Sequence, residues 1–327
     1  MSRVRQSVGY RILHAYVRWL FMACYARTVE VVGRERVPPR RPVLFVTTHQ
    51  NNLADGLAVL FASRRRPVFA ARADFVRAAP WAFRLLRVLP MYRADHGRRA
   101  LAHRLPATMD RLRDHLVAGG SCAIMAEGSS APSRTLRRLK KGWARLALDA
   151  AADAPDLAVV PVAIEYSDWD HWGPDVRVVF GAPLTAAATP DDAPRRLNEM
   201  NGQMHEALSG LLADDAAVAA WHRGVTERRR PTDRLWRALG LPALGLVLVA
   251  FAPVFVLAGW RVRRHPRADF RSTLEIAVVG LGVPVWAVLL GLAALVVAPP
   301  LAVAAALLMV PLLLWVAARC WIAWTAA

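Results

Sequence analysis

Three apolar stretches near the C-terminal end constrain this chain more than any other feature. Leu239–Trp260, Ile276–Ala298 and Leu301–Ala318 contain no charged residue. Hydrocarbon offers a backbone amide no partner, so stretches of this kind become helices. Each has the length to reach across about 30 Å of hydrocarbon, the first only if Pro242 and Pro253 are accommodated. Arg228, Arg229, Arg230, Arg234 and Arg237 precede the first stretch, and Arg261, Arg263, Arg264, Arg267 and Arg271 follow it. Positive charge on both flanks conflicts with a simple span. The expectation is a hairpin or shallow segment with both ends on the cytoplasmic side. Pro299-Pro300 marks a turn between the last two stretches, which then form a transmembrane hairpin returning Arg319 to that side.

The rest of the chain has ordinary globular composition. This divides the 327 residues into an amphipathic N-terminal segment (1–35), a globular domain (36–230) and a membrane domain (231–327). In the first segment Tyr10, Leu13, Val17, Leu20 and Phe21 share one helical face. That face lies either on a membrane or on the domain. A formal net charge of +18 calls for an acidic partner: nucleic acid, anionic lipid or a phosphorylated substrate. The apolar tail favours lipid, and dispersed arginines without a recognition motif argue against nucleic acid. The three cysteines, Cys24, Cys122 and Cys320, show neither metal nor disulfide spacing, which points to a reducing, cytosol-facing compartment.

Between Val43 and Leu184 short apolar runs alternate with helix-like ones. Strands are expected at Val43–Thr47, Val68–Ala71, Val88–Tyr92, Ala123–Ala126, Ala158–Ile164 and Val176–Phe180. Helices are expected near Asp55–Ala62, Pro80–Leu86, Arg98–Val117 and Gly142–Ala151, with a further pair near Ala193–Ala213 and Asp215–Arg228. The alternation predicts an α/β fold, a mostly parallel central sheet flanked by helices. In that architecture functional residues collect beyond the carboxyl ends of strands.

Two such positions carry chemistry. His49 follows the first expected strand, and Asp55 falls in the first turn of the helix after it. A carboxylate on one imidazole nitrogen equips the other to take a proton from a hydroxyl. Glu127 and Gly128 follow the fourth expected strand, and Arg93 ends the third. Lys140 and Lys141 are the only lysines among 43 basic side chains, so this pair marks a place where arginine fits less well. Ser129 and Ser130 read as turn residues, with no Gly-x-Ser-x-Gly context to make either a nucleophile. His96, His103 and His115 have no metal-site spacing, and the Trp169, His171 and Trp172 cluster reads as a loop.

Four blocks in order resemble the glycerol-phosphate acyltransferase family, which includes the lysophosphatidic acid acyltransferases. They are His49 to Asp55, Val88-Leu89-Pro90-Met91-Tyr92-Arg93, Ile124-Met125-Ala126-Glu127-Gly128, and the Pro161-containing apolar run Val159–Ile164. The resemblance covers roughly residues 40 to 185. The family pattern is His-x4-Asp, a strand ending near an Arg, Phe-Pro-Glu-Gly, and an apolar strand with a proline. This chain has His-x5-Asp, and a Leu139-Lys140-Lys141-Gly142 segment after the third block. In both it resembles the dual-substrate glycerol-3-phosphate acyltransferase branch. It departs from the family at Met125-Ala126, at Thr48, and at Ser129-Ser130, where a basic residue is common beside the glycine.

The resemblance implies acyl transfer from an acyl thioester, acyl-CoA or acyl carrier protein, to glycerol 3-phosphate or 1-acylglycerol 3-phosphate, with no cofactor and no metal. It makes His49 the base and Asp55 its orienting partner. Arg93 and Lys140 become phosphate ligands, Glu127 and Gly128 substrate-binding residues, and Arg134 a substitute for the missing cation. It also implies a membrane lipid environment, with the domain on the cytoplasmic side of a bacterial inner membrane. Two alternatives stay open: another lyso-lipid or amino-lipid acceptor, or a non-catalytic lipid-binding module.

Overall fold

A computed structural model describes residues 8–78, 80–92, 97–169, 171–186, 193–264 and 271–325. Its centre is a sheet of eight strands: β1 (Thr28–Val32), β2 (Val43–Thr47), β3 (Val68–Arg72), β4 (Val88–Met91), β5 (Ser121–Met125), β6 (Ala158–Tyr166), β7 (Asp175–Phe180) and β8 (Leu184–Thr185). The order is β1-β7-β6-β2-β5-β3-β4, with β8 also on β6. Pairings among β6, β2, β5, β3 and β4 are all parallel, as is β1 with β7. β7 and β8 run antiparallel to β6. All six expected strands are present. β1 has no expected counterpart, because its five residues are all half-buried and contain Glu30.

β2 shows why the sheet is central. Val43 and Phe45 enter one apolar cluster, Leu44 and Val46 the other, and all four are fully buried. A strand covered on both faces reads as a continuous apolar run. The first cluster lies under α1 (Val8–Trp19), the π-helical turn Leu20–Tyr25, and α2 (Asn52–Ala62). Short helices α3 (Ala73–Ala78) and α4 (Pro80–Leu85) then join β3 to β4. The second cluster lies under α5 (Arg98–Val117), α6 (Gly142–Ala151) and α7 (Ala193–Leu211).

The C-terminal part is helical: α8 (Asp215–Ala250), α9 (Ala252–Arg264), α10 (Arg271–Ala294) and α11 (Pro300–Thr325). Two helices, Thr273–Ala294 and Pro300–Thr325, are long and apolar enough to cross a membrane. α8 and α9 meet the same test only as a pair bent by 76°, so Leu239–Trp260 is not one straight span. The break follows Ala250, before Pro253. α8 runs without interruption past residue 230, so the boundary expected there falls inside a helix.

α11 returns along α8. The rings of Trp236 and Trp315 meet at 5.1 Å, and a Cβ on Gly240 would lie 2.5 Å from that of Cys320. Arg319 donates to the carbonyls of Arg27 (3.0 Å) and Met22 (3.2 Å) at the edge of the globular domain. α1 is packed on the domain through Tyr10, with His14 edge-on to Phe61 at 5.3 Å. Its Val8 and Ile12 are exposed.

Candidate active site

The register of the parallel core brings the site together. Thr47 at the end of β2 pairs with Met125 at the end of β5, so the loops that follow lie side by side. His49 is in the first loop and Glu127 in the second. The His49 backbone N–H donates to Glu127 Oε1 at 2.8 Å. β6, on the other side of β2, extends past Val162, the partner of Thr47, to Tyr166. The central strands of an α/β sheet thus converge on one point beyond their carboxyl ends.

There His49 Nδ1 lies 2.9 Å from Asp55 Oδ2. Asp55 is fully buried, whereas 12% of the His49 side chain is exposed. The Asp55 carboxylate also accepts from the Asn51 N–H (2.8 Å, on Oδ2) and from the Tyr166 hydroxyl (2.8 Å, on Oδ1). These donors are neutral, so the carboxylate charge is left for the imidazole. Burial, and then the neighbouring Asp55, push the Tyr166 phenol well above its usual range, so it stays a donor. With Nδ1 engaged, Nε2 is the remaining imidazole nitrogen, for which the described residues supply no hydrogen-bond partner.

The loop around His49 is tied down from several directions. Thr48 donates its N–H to the Val162 carbonyl (3.1 Å), and its hydroxyl accepts from the Ile164 N–H (3.0 Å). The His49 carbonyl accepts from the Ala131 N–H (3.2 Å), and Trp169 Nε1 donates to Gln50 Oε1 (3.2 Å). The Trp169 loop is therefore a wall of this site.

Glu127 is buried, and both its oxygens are engaged. Oε1 takes the His49 N–H, and Oε2 takes Arg137 Nε at 2.7 Å with the Arg137 N–H at 3.3 Å. Here it staples the His49 loop to the following segment. Gly128 has φ +75°, and a Cβ there would approach Lys140 Cγ to 3.0 Å, so both backbone and space require glycine.

Arg137 is the residue that sequence reasoning missed. Its guanidinium also donates to the Ser129 hydroxyl (3.1 Å), the Ser129 carbonyl and the His49 carbonyl (3.3 Å). Most of its donors are spent on the loop. The clue in the sequence was a Leu-Arg-Arg-Leu-Lys-Lys run, which does not say which cation turns inward. Arg134, the substitute that the resemblance suggests, is engaged by other partners. It pairs with Asp215 (2.7 Å), donates to the Tyr166 carbonyl (2.8 Å), and lies over the Trp169 ring at 4.5 Å. A loop-to-α8 clamp is the position it fills.

Lys140 is exposed, with its backbone N–H on the Ala126 carbonyl (2.8 Å) and its stem over Gly128. No carboxylate among the described residues pairs with its ammonium group. Lys141 instead donates to Asn198 Oδ1. Arg93 lies outside the described residues. Among those residues no group of three or more His, Cys, Asp or Glu side chains is disposed to hold a metal ion.

No curated protein matches the sequence. Among solved structures, the chain is similar to the crystal structure of the 1-acyl-sn-glycerophosphate (LPA) acyltransferase PlsC from Thermotoga maritima. That match has a TM-score of 0.44 at 16% identity and covers 64% of this chain and 84% of the other. The family model described as Acyltransferase matches residues 28–165, which contain His49, Asp55, Glu127, Gly128 and Lys140. Over those residues, with the histidine–aspartate pair assembled inside them, the chain is similar to the acyltransferase family.

Proposed function

We propose that this protein is a membrane-bound O-acyltransferase that moves an acyl group from an acyl thioester to a hydroxyl of glycerol 3-phosphate or 1-acylglycerol 3-phosphate. The observation that carries the reading is the 2.9 Å contact between His49 Nδ1 and a fully buried Asp55 whose other donors are neutral. In this reading His49 Nε2 takes the proton of the acceptor hydroxyl as its oxygen attacks the thioester carbonyl. Asp55 holds the ring and stabilises the imidazolium. As the tetrahedral adduct collapses, the C–S bond breaks and the thiolate takes the proton back from His49. Ester and free thiol result, and His49 ends neutral.

Lys140, an exposed ammonium beside Gly128 without a carboxylate partner, is our candidate for the acceptor phosphate, joined by Arg93. Acyl chains of both substrates partition into lipid, which suits a domain attached to apolar helices. Arg319 and the start of α10 both contact the globular domain, which supports a hairpin with both ends on one side. The surrounding arginines favour the cytoplasmic side of a bacterial inner membrane.

The test uses the full chain, purified into vesicles. Acyl-CoA and acyl carrier protein donors are offered against glycerol 3-phosphate, lysophosphatidate, and lyso-lipids or amino-lipids without a terminal phosphate. Transfer confined to phosphate-terminated acceptors supports the proposal. Equal transfer to acceptors lacking the phosphate moves the reading to a different lipid acceptor. No thioester cleavage with any acceptor leaves only a lipid-binding role.

A further inference from the structure

The first turn of the helix that carries Asp55 takes part of its capping from outside its own sequence. α2 is entered through Asn52 at φ 37°, a left-handed conformation that asparagine tolerates. Asn51 makes no side-chain capping bond, although its carbonyl accepts from the Ala54 N–H at 2.9 Å. The N–H groups of a first helical turn have no partner within the helix, and a side-chain oxygen ordinarily supplies one. For Leu53 that oxygen is Thr273 Oγ1 at 3.2 Å, on a residue 220 positions later in the chain. Thr273 opens the apolar stretch of α10.

The contact is one of three that seat the first half of α10 on the globular domain. Ile276 is buried in the cluster that includes Phe21, Tyr25 and Phe61. The Tyr16 hydroxyl donates to the Gly280 carbonyl at 2.6 Å, and a Cβ on Gly280 would come within 2.7 Å of Leu20 Cδ2. Residues 273, 276 and 280 fall on one helical face. That face belongs to the globular core rather than to lipid.

We infer that Thr273 is a positioning residue for the His49–Asp55 pair, so that the apolar hairpin is a working part of the catalytic centre and not only an anchor. The inference rests on the acyltransferase reading above. Asp55 sits two residues after Leu53 in the same helical turn. Without the Thr273 oxygen, Leu53 N–H loses its partner, the first turn frays, and the carboxylate is no longer held at 2.9 Å from Nδ1. Acceptor contacts at Lys140 come from another loop and are untouched. The deficit therefore falls on kcat and spares KM.

The experiment compares Thr273→Val, which removes the oxygen at nearly constant volume, with Thr273→Ser, which keeps it. Thr273→Ala serves if the valine variant does not fold. Two quantities are read on the full chain in vesicles: acyl-transfer kcat and KM, and amide hydrogen exchange of the segment 50–57. Loss of the cap predicts about a fivefold fall in kcat and a comparable rise in exchange for Thr273→Val. KM for the acceptor stays within about twofold, and Thr273→Ser recovers most of both losses. Unchanged exchange in Thr273→Val, or a serine variant as impaired as the valine one, overturns the inference. Exchange needs no substrate. A wild-type protein inactive towards every acceptor therefore defeats the functional reading while the role of Thr273 is still decided.

Discussion

The molecule contains two buried aspartates paired with histidines, and they teach different things. At the active site His49 Nδ1 lies 2.9 Å from Asp55; at the base of α8 His222 Nδ1 lies 2.8 Å from Asp175. Both aspartates are fully buried. The difference lies in the other donors. Asp55 accepts only from a backbone N–H and a phenol. Asp175 takes a two-point pairing from Arg27, at 3.0 and 2.5 Å, and the Thr28 hydroxyl at 2.7 Å. A guanidinium that neutralises the carboxylate leaves little charge to stabilise an imidazolium. Arg27 also donates to Thr226 of α8 at 2.8 Å, so the second cluster fastens α8 to β1 and β7. Distance alone does not tell the two pairs apart; the charge of the third partner does.

That contrast can be broken by substitution. The largest effect is expected at His49 and Asp55. Loss of the imidazole in His49→Ala, or of the carboxylate charge in Asp55→Asn, should lower kcat by at least about a hundredfold in protein that still folds. Activity within a few-fold of wild type in either variant would end the distinction between the two pairs. Asp175→Asn should do the reverse. Leaving buried Arg27 with only the longer pairing to Asp233, at 4.0 Å, should cost about 3 kcal/mol of stability in denaturant unfolding, with kcat of the folded fraction preserved. A hundredfold loss of kcat there would give the second pair a share in the chemistry.

Tyr166→Phe refines the first pair. It removes one donor from a buried carboxylate, an effect of about 1–3 kcal/mol, and part of that should appear as a several-fold drop in kcat. Smallest is a pH effect away from both pairs. Burial, then Arg87 and Arg65, lower the pKa of His115 from its ordinary 6.5. The unfolded chain therefore takes up this proton first as pH falls. The contribution of His115 is fully present above 6.5 and is lost as pH falls through the lower folded value. His115→Gln should flatten that part of the thermal-stability profile, and an unchanged profile would exclude His115 as its source.

Much of the site was legible in the sequence because local rules write it locally. A buried strand reads as an apolar run, and His49, Asp55 and Gly128 sit at fixed offsets from strand ends. The rest was not legible, for reasons visible in particular residues. Nothing local announces that Glu127 holds the His49 loop, because its neighbour in space, residue 49, is set by strand register. Arg137 and Arg134 are three positions apart in a basic run, and only the path of that loop sends one to Glu127 and the other to Asp215. Asp175 and His222 lie on separate elements, and nothing in their spacing announces a pair.

Local sequence specified the parallel α/β core, the strand-end placement of His49 and of Asp55 in the next helix, and the helical nature of the apolar tail. Each follows from periodicity, strand-end position or the demand of hydrocarbon for satisfied backbone groups. Tertiary packing alone decides which cation turns in to Glu127, what neutralises Asp175, and that Thr273 accepts from Leu53 in the helix of Asp55. Those are hydrogen bonds between segments far apart in the chain. Their partners are chosen by the packing of whole elements, which no local pattern encodes.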